Sequence, residues 1–217
     1  MNALLRKEMK LSSLLLTYLF IGFAVLTMCP GYPILCAVFF ITLGIFQSFQ
    51  SAREANDIVY SALLPVKKTD VVKGKYQFAL LIEVAGFALI AILTLIRMSA
   101  LSQAPVYLQN ALMNANFFFL GCALLIFGLY NAIFIGGFFR TAYKLEKHFV
   151  IYSVVAFVVI AMAEAAHHVP GLEGLNAFGF EHIGIQMATL IIGVVAFVAL
   201  TYLSYNKACR DFEKIDL

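Results

Sequence analysis

The stretch QFALLIEVAGFALIAILTLI, residues 77–96, carries one charged side chain, Glu83, among twenty residues. At 1.5 Å per residue, a helix of about 20 residues is as long as the hydrocarbon core of a bilayer is thick. The rest of the chain has the same character, since 63% of its 217 residues are hydrophobic and 12% are charged. Soluble domains carry about 25% charged residues. The composition therefore predicts an integral membrane protein.

Six segments are long and apolar enough to cross a membrane, at about 17–25 residues each. They are residues 12–29, 33–50, 77–96, 113–138, 149–166 and 184–205. Each must be helical, because lipid offers no partner to an unpaired backbone N–H or C=O group. We therefore predict an all-α fold, with residues 1–217 forming a single transmembrane domain.

The basic residues predict the orientation of this domain. Fourteen of the fifteen Lys and Arg residues lie in the two tails, in residues 51–76 and between spans 4 and 5, whereas Arg97 lies on the other side. By the positive-inside rule, both termini and residues 51–76 are cytoplasmic. We expect a multi-pass protein of the cell membrane. Because the basic residues separate apolar runs and do not line one face, the pattern argues against nucleic-acid binding.

Residues 51–76 form the longest of the predicted cytoplasmic connections. The segment 51–64, SAREANDIVYSALL, has an apolar stripe at helical spacing, and Pro65 would end that helix. Thr69 resembles an N-cap, with Asp70 in the following first turn. The pattern predicts a helix, a bend and a second helix that enters span 3. Apolar residues at such a bend indicate contact with lipid headgroups or with a protein partner.

Polar residues inside the predicted spans are candidates for function. Glu83 lies about 10 Å into span 3, where an ionisable group usually faces the bundle interior, a partner or a water-filled path. The alternative is a carboxyl group near the cytoplasmic interface that is protonated or that reaches toward Lys75 or Arg53. Gln47 and Asn131 are weaker candidates, since polar groups in apolar runs most often form helix–helix hydrogen bonds.

We searched the sequence for motifs of nucleotide binding and catalysis. The phosphate-binding pattern GxxxxGK[ST] is missing from the sequence, so this chain is not expected to bind ATP by a P-loop. Glu164, His167 and His168 would share one face of a helix at a spacing that metals use. These residues, with His182, leave open a membrane-embedded metal-dependent enzyme. The other interpretation is a helix end where polar side chains meet water.

The region before span 3 resembles the cytoplasmic signature of ABC-2 type permeases. The matching features are Asp57 and Tyr60, then LPV at 64–66, Lys67 and Lys68, DVV at 70–72 and KY at 75–76. The pattern is most similar to the small six-span branch that includes exporters of amphipathic peptides such as phenol-soluble modulins. The segment LLRKEMKL, residues 4–11, resembles the N-terminal interfacial helix of that family, which we place at residues 2–11.

This resemblance implies a half-transporter, in which two membrane subunits work with two separate ATPase subunits. ATP and magnesium would be bound by the partner, and this chain would hold no cofactor and be no enzyme. A coupling helix within 51–76 would dock on the ATPase. The resemblance assigns this contact to Asp57 and Tyr60, to the apolar Leu64, Pro65 and Val66, and to a polar rim of Lys67, Lys68, Asp70 and Lys73. The alternative is that the lysines only bind anionic lipid, at about 1 kcal/mol each.

We therefore predict the permease subunit of an ABC exporter in a bacterial plasma membrane, paired with a second copy or a similar subunit. An amphipathic or hydrophobic substrate, possibly a peptide, would pass between the copies along Glu83, Gln47 and Asn131. Besides the metal-dependent enzyme, a non-transporting immunity or assembly subunit with the same fold stays open as an alternative.

Overall fold

A computed structural model describes residues 3–12, 15–57, 66–110, 112–141, 144–166 and 168–215. Every element within these ranges is helical. The α-helices are α1 (Ala3–Lys7), α2 (Leu15–Ile21), α3 (Cys36–Glu54), α4 (Lys68–Met98), α5 (Pro105–Leu108), α6 (Phe117–Tyr130), α7 (Gly136–Thr141), α8 (Leu145–Ala166) and α9 (Ile183–Glu213). Two 3-10 helices, Gly22–Met28 and Glu173–Asn176, and two π-helices, Glu8–Ser12 and Asn131–Ile135, complete them.

Four helices are long and apolar enough to cross a membrane, namely α4, the continuous Phe117–Thr141, α8 and α9. A fifth span results if the bent pair Leu4–Lys10 and Leu15–Met28 crosses as one. The predicted segment 33–50 overlaps α3, which begins at Cys36. The last turns of α3 carry Gln47, Ser48, Gln50 and Ser51 and are therefore less apolar. The structure thus supports an all-helical membrane protein with four to five candidate spans, and six spans remain a prediction.

The span that begins with α6, Phe117–Thr141, is the most buried of the four candidate spans, because two-thirds of an 18-residue stretch of it is buried by the protein itself. α6 therefore lies at the centre of the bundle. It crosses α9 where two glycines face each other: a Cβ atom on Gly193 would overlap the carbonyl oxygen of Gly121. Small residues at this crossing allow two backbones to approach closely, which is a common way for membrane helices to pack.

Aromatic side chains fill the space between α3, the 131–135 turn and α8. The rings of Phe46 and Phe149 stack with centroids 4.0 Å apart, and Phe49 meets Phe134 edge to face at 5.3 Å. Tyr130 and Tyr152 form a similar pair at 5.0 Å. Such pairs contribute about 0.5–1.5 kcal/mol each beyond their buried area, so this cluster fixes α8 against α3.

The connection 51–76 differs in two ways from the helices predicted there. α3 ends at Glu54, and Asn56 adopts a positive φ of 53°, which interrupts the predicted helix 51–64 before its apolar stripe. The N-cap of α4 is Lys67, with φ −71° and ψ 144°, so the assignment of Thr69 was wrong. Thr69 already lies in the first helical turn, whereas Asp70 lies in that turn as predicted. Residues 58–65 lie outside the described residues.

α4 continues without a break for 31 residues, about 46 Å. Its start meets both ends of the chain, since Lys75 contacts Glu8 and the Nζ of Lys68 donates to the carbonyl oxygen of Ile215 at 2.6 Å. We call this end of the bundle, where residues 3–12, 51–57, 66–76 and 207–215 meet, the basic end. Both described chain ends therefore lie at the same end of the bundle as the 51–76 connection.

Candidate functional site: an ion-pair cluster and two buried polar sites

Four charged side chains form an ion-pair cluster at the base of α4: Lys7, Glu8, Asp57 and Lys75. Lys75 is 2% exposed, and its Nζ lies 2.5 Å from Glu8 Oε2 and 3.1 Å from Asp57 Oδ2. Lys7 Nζ lies 2.5 Å from Asp57 Oδ1 and 3.5 Å from Glu8 Oε1. The two cations and two anions balance, which offsets the cost of burying each charge.

The electrostatics of Asp57 follow from this arrangement. Burial alone would raise the pKa of its carboxyl group, but the charges and hydrogen bonds of Lys75 and Lys7 lower that pKa below its ordinary value. Asp57 is therefore ionised at neutral pH. Asp57 is the last described residue before the gap at 58–65, and the cluster fixes its position against α4.

The other predicted contact residues divide into exposed and inward-facing groups. Val66, which is 37% exposed, lies on the surface of the basic end with Lys67 and Lys73. Lys68 and Asp70 are half-buried, and Lys68 is engaged by the carbonyl oxygen of Ile215. The remaining predicted contacts, Tyr60, Leu64 and Pro65, lie outside the described residues.

A second polar group lies deeper in the bundle, and we call it the Glu83 site: Glu83, Asn131, Thr201, Ser204 and Tyr76. Glu83 is 1% exposed, and its Oε2 accepts a hydrogen bond from Asn131 Nδ2 at 3.0 Å. The same Nδ2 donates to Thr201 Oγ1 at 3.0 Å. Ser204 Oγ donates to the Asn131 carbonyl oxygen and pairs with Tyr76 Oη, both at 2.7 Å.

The local backbone explains the position of Asn131. This residue opens the π-helical turn Asn131–Ile135, and α6 and α7 flank that turn on either side. A π-turn inside an α-helix widens the ladder of backbone bonds and is frequent at functional sites. Here it accompanies the hydrogen bond from Ser204 to the Asn131 carbonyl oxygen, which ties the turn to α9.

Of the three predicted substrate-path residues, the structure brings Glu83 and Asn131 together. Gln47 is half-buried on α3, and within the described ranges no hydrogen bond joins it to either of them. The alternative in which Glu83 reaches Lys75 or Arg53 was wrong. Lys75 pairs with Glu8 and Asp57, and Arg53 Nη1 lies 2.6 Å from Glu146 Oε1.

An open cavity of about 570 Å³ lies between α4 and α9, beside the Glu83 site. Its wall is mostly apolar and aromatic and includes Lys73, Tyr76, Thr201 and Tyr205. Thr201 thus faces the cavity and also holds Asn131. One side chain, Asn131, bridges the cavity wall and the buried carboxyl group of Glu83.

The opposite end of α4 carries Arg97, whose role the sequence did not indicate. Its side chain is completely buried: Nη1 donates to the carbonyl oxygen of Thr27 at 2.6 Å, and the guanidinium lies 4.2 Å from the ring centroid of Tyr107. Tyr107 Oη donates to the carbonyl oxygen of Met28 at 2.9 Å. The two side chains bind the last carbonyl groups of the 3-10 helix Gly22–Met28, where a positive charge is favourable.

Glu164, near the end of α8, binds the backbone of the segment that precedes α6. Glu164 Oε2 accepts a hydrogen bond from the backbone N–H of Met113 at 2.8 Å. His167 lies outside the described residues, so the predicted grouping with His168 is only partly visible. Over the part of the chain that the structure describes, no three His, Cys, Asp or Glu residues are placed to hold a metal ion together.

The family model for ABC-2 family transporter proteins matches residues 2–213, so this chain belongs to that family. Searches among curated proteins and among solved structures gave no match. The family comprises transmembrane components of ABC transporters, which generally work with an ABC ATPase subunit. Family membership confirms the predicted superfamily and the assignment as a membrane permease, and the peptide-exporter branch remains a prediction.

Proposed function

We propose that this chain is the permease subunit of an ABC exporter, that it works as a dimer, and that a separate ATPase subunit docks on the 51–76 connection from the cytoplasm. The observation that carries the proposal is the construction of the basic end. The ion-pair cluster holds Asp57 against the base of α4. Val66 and Lys67, which follow residues 58–65 in the sequence, are exposed.

This arrangement suits the transmission of force. A push on the 58–65 segment would act on two fixed points, Asp57 at one end and the start of α4 at the other. Because α4 is one unbroken helix, movement at Lys68 would be carried past Glu83 to Arg97 as a rigid body. The ion pairs of Lys75 would move the N-terminal helix together with α4.

The surface at the base of α4 combines an apolar contact with a basic rim. Val66 supplies apolar surface, and Lys67 and Lys73 supply exposed charge that would meet acidic groups of the ATPase. Leu64 and Pro65 would extend the apolar contact. Asp57 and Lys68, which are engaged within the chain, would position the connection rather than touch the partner.

The substrate we propose is amphipathic or hydrophobic, possibly a peptide. The cavity between α4 and α9 supports this class, because its wall is mostly apolar and carries Tyr hydroxyl groups and one Lys. Glu83 and Asn131 lie behind that wall and would interact with polar parts of the substrate during its passage between two permease copies. Gln47 stays a candidate on α3.

The test compares the same substitution at the two ends of the bundle. Leu64→Asp with Val66→Asp should abolish copurification with the ATPase subunit, and should abolish the stimulation of its ATP hydrolysis. The matched control is Val169→Asp, because Val169 is also exposed but follows α8 at the opposite end. Normal membrane insertion with unchanged ATPase binding in the double variant would refute the docking surface.

A further inference from the structure

We propose that Glu83 is a proton-binding site: its carboxyl group carries a proton in the conformation described here, and it releases that proton when Asn131 moves and the α4–α9 cavity reaches it. The inference uses the geometry of the Glu83 site alone. It does not depend on the ATPase partner or on the nature of the substrate.

Among the described residues, Glu83 has no counter-charge. Glu83 is 1% exposed, and among the described residues no Lys, Arg or His forms an ion pair with it. Its Oε2 accepts a single hydrogen bond, from a neutral amide, and the described residues offer its Oε1 no partner. An ionised carboxylate at this depth in a bilayer is costly, so the neutral acid is the stable form.

The polar groups around Glu83 include hydrogen-bond acceptors that a protonated carboxyl group could use. The described residues leave the amide oxygen Oδ1 of Asn131 without a hydrogen bond, and the hydroxyl group of Tyr130 is in the same situation. A protonated Glu83 has an O–H to donate, and Asn131 Oδ1 is an acceptor on the residue that already binds Glu83. A proton therefore adds a donor to a site that has unused acceptors.

Among the described residues, three tyrosines interact electrostatically with Glu83. They are Tyr76 on its own helix, Tyr130 at the end of α6 and Tyr152 on α8. Tyr76 is bonded to Ser204, and Tyr152 Oη lies 2.9 Å from Thr42 Oγ1. All three are neutral at physiological pH, so none replaces the missing positive charge.

Asn131 and Thr201 connect Glu83 to the α4–α9 cavity, through which its proton could reach water. Asn131 Nδ2 bridges Glu83 Oε2 and Thr201 Oγ1, and Thr201 lines the cavity. Asn131 begins a π-turn, a backbone feature that can revert to an α-helix by shifting one residue. Displacement of this one side chain would open Glu83 to the cavity, where water takes the proton and a cationic group could replace it.

The test uses dicyclohexylcarbodiimide, a hydrophobic reagent that enters the bilayer and modifies protonated carboxyl groups. The acid proton moves to a carbodiimide nitrogen, the carboxylate oxygen bonds to the central carbon, and the adduct rearranges to a stable N-acylurea with no leaving group. Mass spectrometry of the full-length permease in membranes should locate the adduct on Glu83. The rate should fall about tenfold per pH unit once the proton is lost.

Two comparisons make the result decisive. Glu8, equally buried but paired with Lys75, should stay unmodified. Asn131→Ala opens Glu83 to the cavity and favours release of its proton, so the modification of Glu83 should begin to slow at a lower pH than in the wild type. Absence of the adduct in both the wild type and Asn131→Ala at acidic pH would overturn the inference, as would modification at a rate independent of pH. Either failure leaves the ATPase-docking surface untouched, because no ATPase takes part in the measurement.

Discussion

Glu8 and Glu83 are both buried carboxyl groups, at 2% and 1% exposure, yet their surroundings are opposite. Glu8 lies at the basic end, within reach of two lysines from two different helices. Glu83 lies in the middle of α4 with one amide as its hydrogen-bond partner among the described residues. The first is compensated by charge, and the second must be compensated by a proton.

The two carboxyl groups show that buried charges and buried neutral polar groups lie in different parts of this fold. At the basic end, buried ions come in balanced pairs that connect the N-terminal helix, residue 57 and α4. Within the bundle, polar groups are joined by neutral hydrogen bonds between α4, the 131–135 turn and α9. The ion pairs would hold the coupling region rigid, while the neutral network can change its protonation without breaking the bundle.

The largest expected effect comes from Lys75→Met, which would leave Glu8 and Asp57 buried beside each other with less positive charge. We expect a loss of about 3–5 kcal/mol in the free energy of unfolding, typical of breaking a buried ion pair. Unfolding of the purified protein in detergent would measure it. Lys73→Met is the matched control, since Lys73 is exposed two residues away on the same helix. Similar losses in both variants would contradict the proposed role of the cluster.

The next effect separates the two carboxyl groups directly. Glu8→Gln removes an ion that Lys75 needs, so we expect a loss of about 2–3 kcal/mol in the free energy of unfolding at neutral pH. Glu83→Gln keeps the shape of a neutral acid, so we expect a change below about 1 kcal/mol. The same unfolding measurement serves both. Equal losses in the two variants would mean that Glu83 is also ionised and is paired with a cation, as Glu8 is.

A smaller effect tests whether the Glu83 site depends on the approach of α9 to α6. Gly193→Ala would push a methyl group into the carbonyl oxygen of Gly121, and overpacking typically costs about 1–3 kcal/mol. Displacing α9 should also loosen the bond between Thr201 and Asn131 and lower the pH at which the carbodiimide reaction at Glu83 begins to slow. Gly184→Ala on the same helix faces open space and should change neither quantity. A neutral Gly193→Ala would refute the close crossing.

The smallest effect concerns the pH dependence of the ion-pair cluster. Because the pKa of Asp57 is lowered in the folded protein, its ionised form stabilises the fold at neutral pH. That contribution is complete above the unfolded pKa and is lost as the pH falls through the folded one. Asp57→Asn should therefore cost about 1 kcal/mol at neutral pH, and the difference from the wild type should vanish in acid. A difference that persists in acid would show a packing effect instead.

The sequence predicted the helical membrane class, because hydropathy is a local property. It also named Glu83 and Asn131 as polar candidates inside the spans, but it did not indicate that they bond to each other. The ion-pair cluster was missed, since Glu8 and Lys75 are separated by 67 positions and each also suits a solvated tail or loop. Arg97 was missed for a similar reason: its partner is a backbone carbonyl group 70 positions away.

The prediction of the N-cap of α4 from the local sequence was also wrong. Thr69 has the side chain and the position of an N-cap, yet Lys67 is the cap and carries no side-chain capping bond. Lys68, the first residue of the helix, donates through its side chain to the carbonyl oxygen of Ile215, a contact with a distant part of the chain that the local sequence does not indicate. Helix boundaries are the least predictable feature of a helix.

The comparison between the two carboxyl groups is tested most directly by infrared spectroscopy of the wild type, Glu8→Gln and Glu83→Gln in lipid membranes at neutral pH. A protonated carboxylic acid in an apolar site has a C=O stretching band that is well separated from the carboxylate bands. We predict that the wild type shows this band, that Glu8→Gln keeps it and that Glu83→Gln loses it. A band that survives in Glu83→Gln, or that disappears in Glu8→Gln, would contradict the assignment of the proton to Glu83.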